Sequence, residues 1–233
     1  PRDTQFHTRK GPIFSNVILA DEINRAPAKV HSALLEAMEE TSVTIGGNTL
    51  DLPSPFLVLA TQNPIEHEAT YRLPEAQLDR FMLKIVVKYP EVQDERSMLD
   101  QKLSRSKVSS KSVISAAELQ AIQEVVRQIS IDPKIRDYIL RLVRASRITD
   151  EEEVGDISRW IEYGASPRAS IFFVEGTQAL ALLDSREYVL PEDVKQIAKT
   201  ILRHRLVLTY QAEAEGITTD DVIDQLLENV PIP

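Results

Sequence analysis

The stretch Val17-Ile18-Leu19-Ala20-Asp21-Glu22 constrains this chain more than any other. Four apolar residues run without a polar break and end in two adjacent carboxylates. A continuous apolar run of this kind predicts a strand buried on both faces, as in a parallel sheet under helices. Carboxylates at the carboxyl end of such a strand sit where open α/β sheets bind ligands. One acid there can hold a hydrated Mg²⁺, which takes hard oxygen ligands. Its neighbour can polarise a water for attack on a phosphate. The plainer alternative is a strand followed by an acidic turn.

The residues that follow bear on that choice. Pro27 suits the start of a helix, and Val30, Ala33, Leu34, Ala37 and Met38 form an amphipathic stripe behind it. His31 falls off the stripe and reads as a partly exposed helix residue. Residues 43–52 alternate around Gly46-Gly47-Asn48, a hairpin signal. Apolar pairing favours Gly47-Asn48 as its loop, with Ile45 opposite Leu50 and Val43 opposite Leu52. Phe56-Leu57-Val58-Leu59-Ala60 is a second buried-strand run, ending in Thr61-Gln62-Asn63-Pro64. If the two strands are neighbours, Asn63 lies beside Asp21 and Glu22, where its amide can orient a water or meet a phosphate oxygen; alternatively Asn63-Pro64 is simply a turn.

A short helix is predicted within Leu73–Arg80, started by Pro74, and a third strand over Phe81–Val87. Arg80 reads either as an anion-facing group or as a surface cation paired with Asp79. A helix is predicted over Glu91–Leu103. The polar, Ser-rich and basic stretch after it is the best domain boundary in the chain. Everything beyond reads as helical. Ser115 with Glu118 forms a capping box before Leu119, Ile122, Val125, Val126 and Ile129. Asp132-Pro133 precedes Ile135, Tyr138, Ile139, Leu142 and Val143. Ser166-Pro167 precedes Ala169, Phe172, Phe173, Leu180 and Leu183. A helix from Pro191 carries Val194, Ile197, Ala198, Ile201 and Leu202, and Asp220–Leu227 suits a final turn or two. Arg168 sits in the first turn of its helix, where the macrodipole disfavours a cation. It is either part of an anion site or paired with a carboxylate such as Glu162.

Composition narrows the function classes. The 27 basic and 36 acidic residues leave a formal net charge of −9, against non-specific nucleic-acid binding over the whole surface. Arg203-His204-Arg205 is too short a basic patch to track a duplex. Cysteine is absent, which removes disulfides and thiolate metal sites and fits a reducing, cytoplasmic compartment. No stretch is long and apolar enough for a membrane span.

These motifs, in this order, resemble the MoxR family of AAA+ ATPases. The likeness rests on Gly11-Pro12-Ile13-Phe14, Leu19 through Pro27, Leu34 through Met38, Ala60 through Glu66, Leu73 through Phe81 and Gly164-Ala165-Ser166-Pro167-Arg168-Ala169. It implies an α/β fold: part of a P-loop NTPase parallel sheet with helices, then a small all-α lid domain. The implied division is a core fragment over 1–103, a linker over 104–112 and a lid over 113–233. The resemblance also implies roles. Asp21 would act on Mg²⁺ and Glu22 would activate water for ATP hydrolysis. Asn63 looks like sensor 1, Arg80 like an arginine finger offered to a neighbouring subunit, and Arg168 like sensor 2. The implied partners are other copies of the chain, in a hexameric ring for the full-length form, and von Willebrand A-domain proteins; the implied work is remodelling or maturation of partner complexes. The metal-chelatase ATPase subunit, a sister group, is the alternative enzyme. A non-catalytic interaction module is the alternative of another class.

One departure matters. No G-x-x-x-x-G-K-[ST] phosphate loop occurs in the 233 residues. The chain is therefore expected to be a fragment that does not bind ATP tightly alone. Ala69 and Arg72, where the family usually has Gly and Pro, are smaller departures.

Overall fold

A computed structural model describes residues 10–63, 73–104, 111–147 and 155–233. The expectations for the loop holding Ala69 and Arg72 and for most of the linker lie outside the described residues.

The two apolar runs form strands β1 (Val17–Ala20) and β4 (Leu57–Ala60), paired in parallel with Ala20 opposite Ala60. Burial alternates along both. Ala20, Val58 and Ala60 face a cluster built on Ile23, Leu34 and Leu73, with Ile13, Met38, Leu78 and Phe81 packed around it. The opposite face stays half open: Val17 is 57% exposed, Leu19 64%, Leu57 52% and Leu59 50%. Burial on both faces, expected from the unbroken apolar run, is thus not met; no described element covers the second face. The run encodes what the strands can bury, and a single layer of cover uses half of it.

Helix α1 (Ala28–Glu40) follows β1 through a short 3₁₀ turn at Ile23–Arg25. Its buried residues are His31, Leu34, Leu35 and Ala37, while Val30 and Ala33 are exposed. The helix is therefore rotated from the predicted stripe. His31, expected to be partly exposed, is 2% exposed, and its Nε2 lies 2.7 Å from the carbonyl oxygen of Ile23. That bond meets the polar demand that would otherwise keep an imidazole at the surface.

The hairpin pairs β2 (Ser42–Ile45) with β3 (Asn48–Asp51), but in a register different from the one expected: Ile45 faces Asn48 and Val43 faces Leu50. Gly46 (φ 60°) and Gly47 (φ 83°) form the two-residue loop. Primed hairpin turns need positive φ at both positions, which two glycines meet without steric cost. The hairpin is mostly exposed, so little apolar area opposes the turn's choice. Leu52 is buried outside the ladder, its N–H donating to the carbonyl of Thr41 at 2.8 Å.

Residues 81–87 form no strand. They pair with neither β1 nor β4 and lie against the second half of the chain, where the N–H of Lys84 donates to the carbonyl of Thr200 at 2.8 Å. A short helix, α2 (Glu75–Leu78), precedes them and α3 (Val92–Ser104) follows, exposed along its length.

The second half is mostly helical: α4 (Ala116–Gln128), α5 (Pro133–Ala145), α6 (Pro167–Leu183), α7 (Pro191–Leu202), α8 (Tyr210–Ala214) and α9 (Thr219–Asn229). The stripes of α5 and α7 are buried as predicted, in one cluster with Phe173, Val222, Ile223 and Leu226. The stripe of α4 is less sheltered, with Leu119, Ile122 and Val125 exposed, and Leu183 at the end of α6 is exposed too. One departure from an all-helical reading is a small antiparallel pair, β5 (Ile161–Tyr163) with β6 (Val207–Leu208). It sets the chain entering α6 beside the chain leaving α7.

Candidate active site

At the carboxyl ends of β1 and β4, one hydroxyl organises the acidic pair. Thr61 Oγ1 donates to Asp21 Oδ1 at 2.5 Å and accepts from the backbone N–H of Glu22 at 2.8 Å. The ladder continues past the strands, with the N–H of Thr61 donating to Ala20 and the N–H of Ile23 donating to Thr61, both at 3.0 Å. Glu22 itself is left-handed, φ 50° and ψ 50°. That conformation costs a non-glycine residue on the order of 1 kcal/mol and recurs at functional sites. The Glu22 carboxylate meets the Arg25 guanidinium at 2.8 Å. The Asn24 amide reaches the carbonyl of Asn63 at 3.5 Å, which ties the turn after β1 to the turn after β4. Asp21 and Glu22 thus lie at the strand end beside the turn that carries Asn63, as adjacent strands predict.

Asp21 is exposed and offers oxygen ligands, and among the described residues no cluster of three or more His, Cys, Asp or Glu is placed to cage a metal. This donor set fits Mg²⁺, which is bound through one or two carboxylates, waters and substrate phosphates. It does not fit zinc, which takes closed sets of nitrogen and sulfur ligands.

Arg80 and Arg168 come together elsewhere. Both reach Glu39 Oε1: Arg80 through Nε at 3.2 Å, and Arg168 through Nη2 in a short contact. Glu39 lies near the C-terminus of α1, whereas Asp21 and Glu22 precede its N-terminus. From Ala28 to Glu39 the helix rises about 16 Å. The arginine pair and the acidic pair therefore mark opposite ends of α1. Both arginines are paired with carboxylates, as their plainer readings hold, but with other partners than expected. Arg80 pairs with Glu39 and not with Asp79, and Arg168 pairs with Glu39 and Asp79 and not with Glu162.

Asp79 is taken up by the second half of the chain. Its Oδ2 accepts from Ser166 Oγ at 2.7 Å and from Arg168 Nη1 at 3.5 Å; its Oδ1 accepts from Arg205 Nε at 2.9 Å. Ser166 caps α6, accepting from the N–H of Arg168 at 3.1 Å. The residues before that cap have no slack. A Cβ on Gly164 would lie 2.1 Å from the carbonyl oxygen of Ser146, so only glycine lets the two backbones approach.

Residues 203–205 are no surface patch. Arg203 forks onto Asp220 at 2.6 and 2.7 Å, which raises its pKa. His204 is buried, with Nε2 2.9 Å from the carbonyl of Phe81; burial first, then the neighbouring Arg205, push its pKa down to about 4. The Arg205 side chain is only 1% exposed and stacks 4.9 Å over the ring of Phe172. Burial lowers its pKa while Asp79 opposes the shift. Sequence reasoning missed Thr61, Glu39, Asp79 and Arg205 as parts of the site. One signal was present: Arg203-His204-Arg205 interrupts an apolar run, and charges there need buried partners.

Comparison with known proteins adds five findings. A family model described as ATPase family associated with various cellular activities (AAA) matches residues 1–83, and one described as AAA lid domain matches 155–226. The chain is 46% identical to Chaperone MoxR1 of Mycobacterium tuberculosis, over 98% of this chain and 60% of that protein. A crystal structure of a candidate ATPase from Cytophaga hutchinsonii aligns with TM-score 0.91 at 46% identity, over 97% of this chain and 68% of that one. The magnesium-chelatase subunit ChlI of Mesostigma viride is more distant, 25% identical over 82% of this chain and 50% of that protein. The chain thus spans well under the full length of the proteins it matches.

Proposed function

The chain belongs to the MoxR family of AAA+ ATPases, and we propose that it is the part of a ring-forming ATPase that carries the acid pair and the arginines. The observation that carries this reading is the Thr61 bridge, which fixes Asp21 and the Glu22 backbone at the carboxyl end of β1. Asp21 would hold Mg²⁺. A bound Mg²⁺ would neutralise charge on the β- and γ-phosphates of ATP. Glu22 orients and polarises the attacking water, and Asn63, on the adjacent strand end, faces the γ-phosphate as sensor 1.

Arg80 is the arginine finger. Its position beside Arg168, at the other end of α1 from the acids, favours presentation of both cations to a neighbouring subunit's nucleotide. Glu39 then holds the pair until a triphosphate competes for them. Residues 1–103 form the core portion, 104–112 the linker and 113–233 the lid. The ring is hexameric and cytoplasmic, and its work is chaperone-like remodelling of partner complexes, von Willebrand A-domain proteins among them. The name of Chaperone MoxR1 supports the chaperone-like part of that reading. Without a phosphate loop, these 233 residues alone do not turn ATP over.

The test uses the full-length protein. Arg80→Ala lowers turnover by about 10³-fold or more, the worth of an arginine finger. Mixing Glu22→Gln subunits with Arg80→Ala subunits, each inactive alone, restores activity, because some interfaces then combine an intact Glu22 with a neighbour's intact Arg80. Unchanged turnover in Arg80→Ala removes the finger role, and no recovery in the mixture removes the trans arrangement.

A further inference from the structure

We propose that Arg205 is a positioning residue for Arg80: it clamps the backbone on both sides of Arg80 to the lid, so that Arg80 and Arg168 move as one unit. The inference rests on the reading of Arg80 as a finger and goes beyond it.

The geometry is dense and one-sided. Arg205 Nη2 donates to the carbonyls of Asp79 at 2.8 Å and Phe81 at 2.6 Å. Its Nη1 donates to the carbonyl of Met82 at 3.2 Å and, in a short contact, to that of Ile201. Its Nε donates to the Asp79 carboxylate at 2.9 Å. One guanidinium thus holds the carbonyls before and after Arg80 and the one beyond. Arg80's side chain is left to reach Glu39 at 3.2 Å. A guanidinium presents five N–H groups in a rigid plane, and no other side chain can satisfy so many acceptors at once.

A buried arginine placed only to neutralise Asp79 would not need three backbone acceptors around a single residue. Asp79 also accepts from Ser166 and Arg168, which open α6. The same carboxylate therefore joins the Arg80 backbone to the helix end that carries Arg168. A shift of α6 as Arg168 engages phosphate would be passed to Arg80 through Asp79 and Arg205. Because the Arg205 side chain is 1% exposed and its N–H groups go to protein acceptors around Arg80, its removal should act through the setting of Arg80.

A double-mutant cycle in the full-length, assembled protein tests this. Arg205→Met is expected to lower kcat at least about tenfold with KM for ATP within about twofold, and to lower kcat less than about twofold when Arg80 is already alanine. Amide hydrogen exchange over residues 80–83 should rise by roughly tenfold in Arg205→Met. If Arg205→Met fails to assemble, Asp79→Asn takes its place, with a smaller loss and the same dependence on Arg80. Equal loss from either variant with and without Arg80 overturns the proposal, as does unchanged exchange over 80–83. Wild-type turnover in Arg80→Ala overturns the finger reading instead, and the catalytic part of this inference with it.

Discussion

From α5 to α9 the helices close on one another around Tyr138, Leu142, Phe173, Ile201 and Leu226, each almost fully buried. The β1–β4 pair and α1, by contrast, gather around Ile23, Leu34 and Leu73, while the far face of the strands stays open. The acidic pair belongs to the sparse region and Arg168 to the dense one. Arg80 belongs to the sparse region by sequence and to the dense one by its bonds. The difference teaches how the labour is divided. The dense half is a frame whose shape its own residues determine, and the sparse half holds its candidate catalytic acids in place by hydrogen bonds at strand ends.

The largest effect that would break this contrast lies in the frame. Phe173→Ala should cost about 3–5 kcal/mol, the range for emptying a filled aromatic site. A loss near 1 kcal/mol in urea unfolding would mean that the cluster is looser than its burial implies.

A second test concerns the seam. His204 touches the carbonyl of Phe81 and lies beside Arg205, Lys84 and Asp79. Its pKa falls from 6.5 to about 4 in the folded chain, so folding favours the neutral ring. The stability tied to it is complete above the unfolded value and drains away as pH falls from about 6.5 through 4. The total is on the order of 3 kcal/mol. His204→Gln should lose correspondingly less between pH 7 and pH 4, read from urea midpoints. Equal losses in both proteins would remove His204 from the seam's acid sensitivity.

The smallest effect sharpens the contrast from the other side. Leu19 is 64% exposed, so Leu19→Ala should cost this chain less than about 1 kcal/mol. A thermal shift as large as that of Phe173→Ala would show that the open strand face is covered in solution.

How much of this could be read in advance depended on whether the determinant was local. The stripes of α5 and α7 repeat at helical spacing, and their buried residues follow from that period. The acid pair was legible because it is contiguous and ends an apolar run. The hairpin register does not follow from apolar pairing, because two glycines with positive φ set the turn and little buried area opposes them. His31 misled because its partner, the carbonyl of Ile23, is a backbone group that no pattern marks. Residues 81–87 have the composition of a strand, but a strand also needs an edge to join. The links from Arg168 to Glu39 and from Arg205 to Asp79 cross more than a hundred residues, and no local period encodes such a pair.

The Thr61 hydroxyl has one more consequence. It grips Asp21 from the neighbouring strand, one residue past the Ala20–Ala60 pair. The setting of the acid is therefore an offset in the ladder rather than a property of the loop that bears it. Sliding β4 by a single residue would carry the hydroxyl about 3.3 Å along the strand and turn it to the opposite side of the sheet. The two strands act together as a gauge. Their alignment is either right, with the carboxylate in place, or wrong by a whole step, and a small elastic error has no intermediate setting in which to persist.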